Sequence, residues 1–333
     1  MKSNFIQFSN LLHDNQFYKS ILSWFEQNQR NLYWRENRRI YLTYLTEVML
    51  QQTTVSTVQN KLPTILKDFP DFKSFKSKKI DDFLKCWSGL GYYKRAINFY
   101  KSVSIINKNF KGILPKDKND LLNLPGIGEY TANAIVAIGY NKRAFPIDVN
   151  IKRLISRLTK KKLTDQQVLE ILNKITLKKR NFRKFAESMM DYSSLICKKN
   201  YPKCQECIFQ NYCKSAFIKF IPIRKKKILT KNINFYLINS KNKICFIKNS
   251  KFQFYKNFLH LPSSLEIDLL REYEKNEKIH KFSFKYSITN YNFKINVFKI
   301  FVQASNNNPD YVWLKKSEIS KIPIPTLFKK ILN

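Results

Sequence analysis

The 333-residue chain sets 61 Lys and Arg against 24 Asp and Glu, a formal charge of +37, with 44% hydrophobic and 15% aromatic residues. That apolar content excludes a chain disordered throughout, and the lack of any run of about 18 apolar residues excludes a membrane-spanning helix. The opening MKSNFIQFSNLLHDNQF has no continuous apolar stretch and no small-residue cleavage site, so no secretory leader is expected; the six Cys then point to a reducing, cytoplasmic setting and to metal ligation rather than disulfides.

In chain order, apolar spacing near 3.6 predicts helices over 18–29, 41–50, 55–66, 93–107, 130–140, 150–159 and 183–196. Residues 1–216 therefore read as a helical region. A basic stretch, 217–231, contains IPIRKKKILTK and reads as a linker. Beyond it the period changes. INFYLIN and KICFIKN are short β-branched and aromatic runs separated by Ser240, Lys241 and Asn242, which predicts a hairpin. SLEIDLLREYEK predicts a helix, KFSFKYSI and FKINVFKIFVQ alternate as strands, and IPTLFKKIL closes as a helix. Residues 232–333 are thus expected to form an α+β domain.

The basic surplus suits a polyanionic partner, and nucleic acid is the first candidate. Yet 49 of the basic residues are Lys and 12 are Arg, alongside abundant Asn, Ile, Phe and Tyr, all residues with AT-rich codons. Codon bias accounts for such a surplus as readily as DNA binding does. The six glycines are more selective, since none follows Gly139. Those retained are expected to serve backbone geometry.

Four features carry chemistry. Cys197, Cys204, Cys207 and Cys213 follow a C-x6-C-x2-C-x5-C spacing, and four thiolates so close in sequence can close one site, zinc or a [4Fe–4S] cluster. Cys86 and Cys245 are isolated and read as ordinary core residues. LPGIGEYTANAIVAIG turns between two helices through Gly126 and Gly128. With its Pro and following Thr-Ala it reads as a helix-hairpin-helix, whose exposed N–H groups bind a DNA phosphate. Glu47 lies within the apolar run YLTEVMLQQT, either on a solvated edge or buried as a general acid of raised pKa. Asp148, in FPIDVNIKRLISRL, stands where a helix begins and reads by itself as an N-cap.

Taken in order, YLTEVMLQQT, GLGYYKRA, LPGIGEYTA, FPIDVN and the four Cys resemble the endonuclease III superfamily of DNA glycosylases over nearly all of residues 20–215. EVMLQQT, GLGYY and AESMMD resemble its adenine-glycosylase branch, the MutY family. The resemblance implies a mainly α-helical catalytic region, a helix-hairpin-helix glycosylase with an iron–sulfur cluster lobe, plus an α+β Nudix-like C-terminal domain. A six-helix barrel over about 30–135 would pack against a lobe of 1–29 and 136–216, with DNA in the cleft. It implies a [4Fe–4S] cluster on the four Cys. It also implies a monofunctional enzyme of base excision repair, probing double-stranded DNA for adenine mispaired with 8-oxoguanine or guanine. No membrane and no second subunit are expected.

Residue roles follow from the same resemblance. Glu47 matches the catalytic acid, Asp148 the carboxylate that stabilises or traps the cationic sugar, and Asn150 its support. Tyr130 stands where bifunctional members carry a Schiff-base Lys, and a phenol cannot form an imine. Gln52 and Tyr92 match residues that wedge into the duplex as a base is flipped out, with Gln51 beside them. Trp34, Arg35 and Glu187 match the lining of the adenine pocket.

Two departures stand out. The family's F-S-H loop in the C-terminal domain is here Ile288, Thr289 and Asn290, of which Thr289 and Asn290 keep hydrogen-bonding groups for a base edge. The family's Asp-Gly-Asn is here Asp148-Val149-Asn150, which is strained if the middle residue needs a positive φ. Two other readings remain: a thymine or oxidised-pyrimidine glycosylase of the endonuclease III type, and a catalytically decayed DNA-binding relative.

Overall fold

The structure is a computed structural model that describes residues 15–174, 181–218, 228–248, 250–255, 258–266, 268, 271, 276–288, 290–303, 308–319 and 322–332. The chain divides into two compact units. One joins residues 1–77 to 97–222, and the other joins 78–96 to 223–333. The segment containing GLGYY therefore groups with the C-terminal part.

The first unit is helical. Its helices are α1 (Gln16–Asn28), α2 (Tyr33–Glu36), α3 (Ile40–Leu50), α4 (Val55–Asp68), α7 (Lys118–Leu122), α8 (Glu129–Ala134), α9 (Val149–Thr159), α10 (Asp165–Asn173) and α11 (Phe182–Leu195). In α3 nearly every position is apolar, and Tyr41, Leu42 and Tyr44 to Met49 are all buried, so the helix is central rather than amphipathic. The helix after the hairpin turn widens into a π-helical stretch, Ile135–Gly139, and this stretch packs on α3 and α11. A second core joins α1, α9 and α11 through Phe17, Ile21, Ile151, Leu154, Phe185, Met189 and Tyr192, and Phe209 from the cysteine segment stacks on Phe17 at 4.6 Å.

The second unit begins with α5 (Ile80–Trp87), and α6 (Lys94–Asn109) starts in it. Its sheet holds β1 (Leu229–Ser240), β2 (Lys243–Ile247), β3 (Lys278–Ile288), β4 (Tyr291–Phe301) and β5 (Tyr311–Lys315), followed by α12 (Lys316–Ile319) and α13 (Thr326–Leu332). The order is β3-β4-β1-β2-β5, and β1 pairs with β4 in parallel. The expected hairpin is present: Lys241 and Asn242, both with positive φ, join the antiparallel β1 and β2. Phe235, Phe246, Phe293, Ile295 and Val297 on one face receive Leu327, Phe328 and Ile331 from α13, which closes the core. The helix expected in SLEIDLLREYEK falls largely outside the described residues. Cys86 and Cys245 are buried. Among the described residues no helix is long and apolar enough to cross a membrane.

Candidate active site

Glu47 is the anomaly around which the site is organised. It is 6% exposed on the apolar helix α3, and burial pushes its carboxyl from the ordinary 4.5 up to about 7. The Tyr130 hydroxyl hydrogen-bonds this carboxyl and, with the Arg35 charge, partly opposes the rise; Asp148 and Glu187 add to it. The Tyr130 phenol is itself raised well above its usual range by burial and by the two carboxylates. Tyr130 reaches Glu47 because it is the second residue of α8, just beyond the hairpin turn. It also lines an open groove of ≈ 510 Å³ with Asn133, Phe145 and Ile147. The phenol thus stands between a buried acid and a space large enough for a ligand.

Asp148 is the N-cap of α9. Its Oδ1 accepts from the backbone N–H of Asn150 at 2.9 Å and of Ile151 at 2.7 Å, while its Oδ2 accepts from Asn150 Nδ2 at 2.6 Å. The helix start thus fixes the orientation of a carboxylate whose charge adds to the rise at Glu47. Val149 is the first residue of α9, its φ is not positive, and it is 77% exposed, so replacing the family's glycine introduces no strain. Asn150 is held in turn. Its Oδ1 accepts from Arg153 at 2.9 Å, and Arg153 also donates to the carbonyls of Cys197 and Ser193.

Trp34, Arg35, Glu47 and Glu187 line one small cavity with Leu50 and Met190. Its acids are matched by a charge network the sequence reading did not foresee. Arg38 grips Glu187 at 2.8 and 3.1 Å, and Arg35 grips Asp191 at 2.7 and 3.0 Å, with Arg30 also on Asp191. Glu187 and Asp191 are four residues apart on α11, so they share a face. That spacing in AESMMD was the available signal.

Gln51 donates to the Thr131 hydroxyl at 3.3 Å, tying the end of α3 to α8. Gln52 is exposed with a φ of +58°, and Tyr92 is 45% exposed with a φ of +44°. Two expected wedge residues thus sit in a left-handed backbone that non-glycine residues rarely adopt. They belong to different units. At Gly126 φ is +81° and a Cβ would come within 2.8 Å of Asn98 Cβ, so the hairpin requires glycine there. Gly128 is the extended residue that caps α8. Thr289 lies outside the described residues, and Asn290 is exposed in the turn between β3 and β4.

Cys197, Cys204, Cys207 and Cys213 line one cavity with Leu154, Leu158 and Ile196. Burial and the neighbouring cysteines raise Cys207, and push Cys213 up to about 11. Tyr192 lies 3.0 Å from Cys207 Sγ, and Arg157 Nη1 lies 3.5 Å from Cys197 Sγ. Lys203 pairs with Glu206. Among the described residues no three His, Cys, Asp or Glu side chains could hold one metal ion.

A buried acid beside a helix-hairpin-helix, backed by a four-cysteine lobe, defines a class, and the comparisons agree with it. Residues 45–178 match the HhH-GPD superfamily of base excision DNA repair proteins. The fold is shared with a thermostable thymine-DNA glycosylase (TM-score 0.56, 24% identity, 61% of this chain and 95% of that one). It is shared too with endonuclease III in a trapped covalent DNA complex (TM-score 0.53, 20% identity, 60% and 92%). The protein is thus a helix-hairpin-helix DNA glycosylase with an α+β C-terminal region.

The chain is 33% identical to the adenine DNA glycosylase of Buchnera aphidicola from Schizaphis graminum, over 95% of this chain and 98% of that one. The human adenine DNA glycosylase is 28% identical over 64% of this chain and 42% of its own. The chain belongs to the adenine DNA glycosylase family, as its motifs implied.

Proposed function

We propose that this enzyme excises adenine paired with 8-oxoguanine or guanine, as a monofunctional hydrolase. The observation that carries the reading is the Glu47–Tyr130 pair: a buried acid titrating near neutrality, bonded to a phenol where a bifunctional enzyme needs an amine. With adenine flipped into the cavity of Trp34, Arg35 and Glu187, Glu47 gives its proton to N7. The C1′–N9 bond then breaks with its electrons leaving on the protonated base. Asp148, held by Asn150 and two backbone N–H groups, faces the cationic sugar and stabilises or traps it until water adds at C1′. Glu187 is held by Arg38, so it serves as a fixed acceptor for the base rather than as a second acid.

Gln52 in one unit and Tyr92 in the other are each assigned a wedge role as a base is flipped out. The N–H groups at Gly126 and Gly128 take the adjacent phosphate. Asn290, exposed in the β3–β4 turn, offers an amide to the base opposite. Cys197, Cys204, Cys207 and Cys213 would hold a [4Fe–4S] cluster, which supplies a rigid charged anchor for the lobe. The four cysteines lining one cavity, at the C-x6-C-x2-C-x5-C spacing, support that reading.

Duplexes bearing A opposite 8-oxoguanine, A opposite G, T opposite G, and thymine glycol, each followed by alkali, test the activity. Cleavage at adenine alone, lost in Glu47→Gln, is expected. No product from any duplex would overturn the proposal, and a borohydride-trapped adduct with the unaltered protein would overturn its monofunctional part.

A further inference from the structure

The cysteine lobe is braced by a tyrosine that the excision chemistry does not use. Tyr192, on α11, is fully buried. Its ring meets Trp24 of α1 edge-on with centroids 4.9 Å apart, and Phe209 edge-on at 5.4 Å. Phe209 in turn stacks on Phe17. The residue before it, Asp191, is gripped by Arg30 and Arg35. Ion pairs thus fix the turn of α11 that carries Tyr192, and close packing fixes its ring, so the hydroxyl is held in one place.

That hydroxyl has two neighbours. The Ile208 backbone N–H donates to it at 3.0 Å, and Cys207 Sγ lies 3.0 Å from it. An N–H can only donate, so this bond occupies an oxygen lone pair and leaves the single phenolic proton to point at the sulfur. Cys207 as a ligand is a thiolate, with no proton of its own to give. The direction of the bond is therefore set: Tyr192 donates and Cys207 accepts. Tyr192 engages three consecutive residues, Cys207 by its proton, Ile208 by its oxygen and Phe209 by its ring. Arg157 makes a looser approach to another sulfur. Its Nη1 lies 3.5 Å from Cys197 Sγ, while the guanidinium is drawn to the carbonyls of Lys198 and Lys199 at 2.6 and 2.9 Å.

Adding an electron to an iron–sulfur cluster increases the negative charge on its thiolate sulfurs. A hydrogen bond donated to one of those sulfurs stabilises the reduced state more than the oxidised one, and burial away from water strengthens the effect. We propose, resting on the reading that the four cysteines hold a [4Fe–4S] cluster, that Tyr192 is a positioning residue for that cluster: its hydroxyl orients Cys207 and raises the reduction potential through a hydrogen bond to the sulfur. The direction of the effect follows from charge alone, because the more reduced member of the couple is the more negative one. Its reach is local, since a neutral O–H acts on the sulfur it meets and adds no charge to the lobe.

The full-length protein tests this in Tyr192→Phe, which keeps the ring and removes the hydroxyl. Ser194→Ala is the control, since that hydroxyl lies on the same helix and donates to the Asp191 carbonyl. Iron and sulfide analysis of the unaltered protein comes first. Iron and sulfide in equal amounts are expected; zinc, or no metal, overturns the cluster reading and the inference with it and leaves adenine excision standing. Voltammetry of the protein on a carbon electrode then gives the potential of the one-electron couple. Tyr192→Phe should shift the reduction equilibrium about tenfold toward the oxidised state, a potential about 59 mV lower. Ser194→Ala should match the unaltered protein. A potential unchanged in Tyr192→Phe, or lowered as much in Ser194→Ala, overturns the inference and leaves the cluster reading standing. If Tyr192→Phe retains no cluster, resonance Raman spectra of the unaltered protein, its cluster assembled in H2O or in D2O, decide the matter. Cysteinyl Fe–S stretches that move on deuteration uphold the bond, and bands that stay put overturn it.

Discussion

A carboxyl group on a helix buried all round is destabilising wherever it must ionise, and Glu47 shows the sign of that effect. Folded Glu47 titrates at about 7, against 4.5 for an ordinary carboxyl. The folded state keeps a proton that the unfolded chain releases above pH 4.5. Stability is therefore full below that value and declines as pH rises toward 7, by roughly 3 kcal/mol. Glu47→Gln removes the penalty, so thermal melts should show it more stable than the unaltered protein at pH 8 and no more stable at pH 4.5. Excision moves the other way. Glu47→Gln should slow single-turnover excision by about 10²-fold or more, the scale of lost acid catalysis. In the unaltered protein the rate should fall as pH rises through about 7, because only the acid form can donate. Tyr130 donates to the carboxylate and so holds that pKa down. Tyr130→Phe should move the falling limb to higher pH, and a limb that stays put would dissociate Tyr130 from the acid.

At the scale of elements, α9 links the chemistry to the cysteine lobe. It starts at Asp148, and Arg153, one turn in, joins Asn150 to the carbonyls of Cys197 and Ser193. Arg153→Leu should therefore slow excision and loosen the lobe together, read as activity and as visible absorbance of the proposed cluster. Val149→Gly should restore the family's residue at no benefit. With no positive φ to relieve, the glycine should lower stability by about 0.3 kcal/mol and leave the excision rate unchanged. These helices were legible because 3.6-residue periodicity and an N-cap are local signals, and Glu47 was legible as a charge inside an apolar run. The Arg30, Arg35 and Arg38 contacts with Glu187 and Asp191 were not. Which acid each arginine meets depends on how α11 packs against 30–38, and packing is non-local. Gln52 and Tyr92 hid their left-handed backbone because neither is glycine. β5 is five residues long, too short to show a clear alternation, while the parallel β1–β4 pairing joins strands some sixty residues apart.

The whole molecule returns to its charge. A surplus of +37 made mostly of Lys is what either DNA binding or codon drift would leave, and the two differ in how the charge is used. Several lysines are paired where they lie: Lys118 with Glu129, Lys152 with Asp165, Lys184 with Glu26 and Lys203 with Glu206. Such exposed pairs contribute little to stability, so most of the surplus remains available to phosphates or to solvent. Phosphate contacts release counterions, and the logarithm of affinity then falls with the logarithm of salt at about 0.9 per phosphate. If the surplus serves DNA, six or more phosphates are engaged, and affinity for undamaged duplex should drop about 10³-fold or more between roughly 50 and 200 mM salt. If Glu47 is the acid, the single-turnover rate at saturating enzyme should not change across that range, because its carboxyl is buried away from screening ions. A slope of only two or three phosphates would assign most of the lysines to drift. It would leave specific recognition to the hairpin glycines, the wedge residues and the β3–β4 turn.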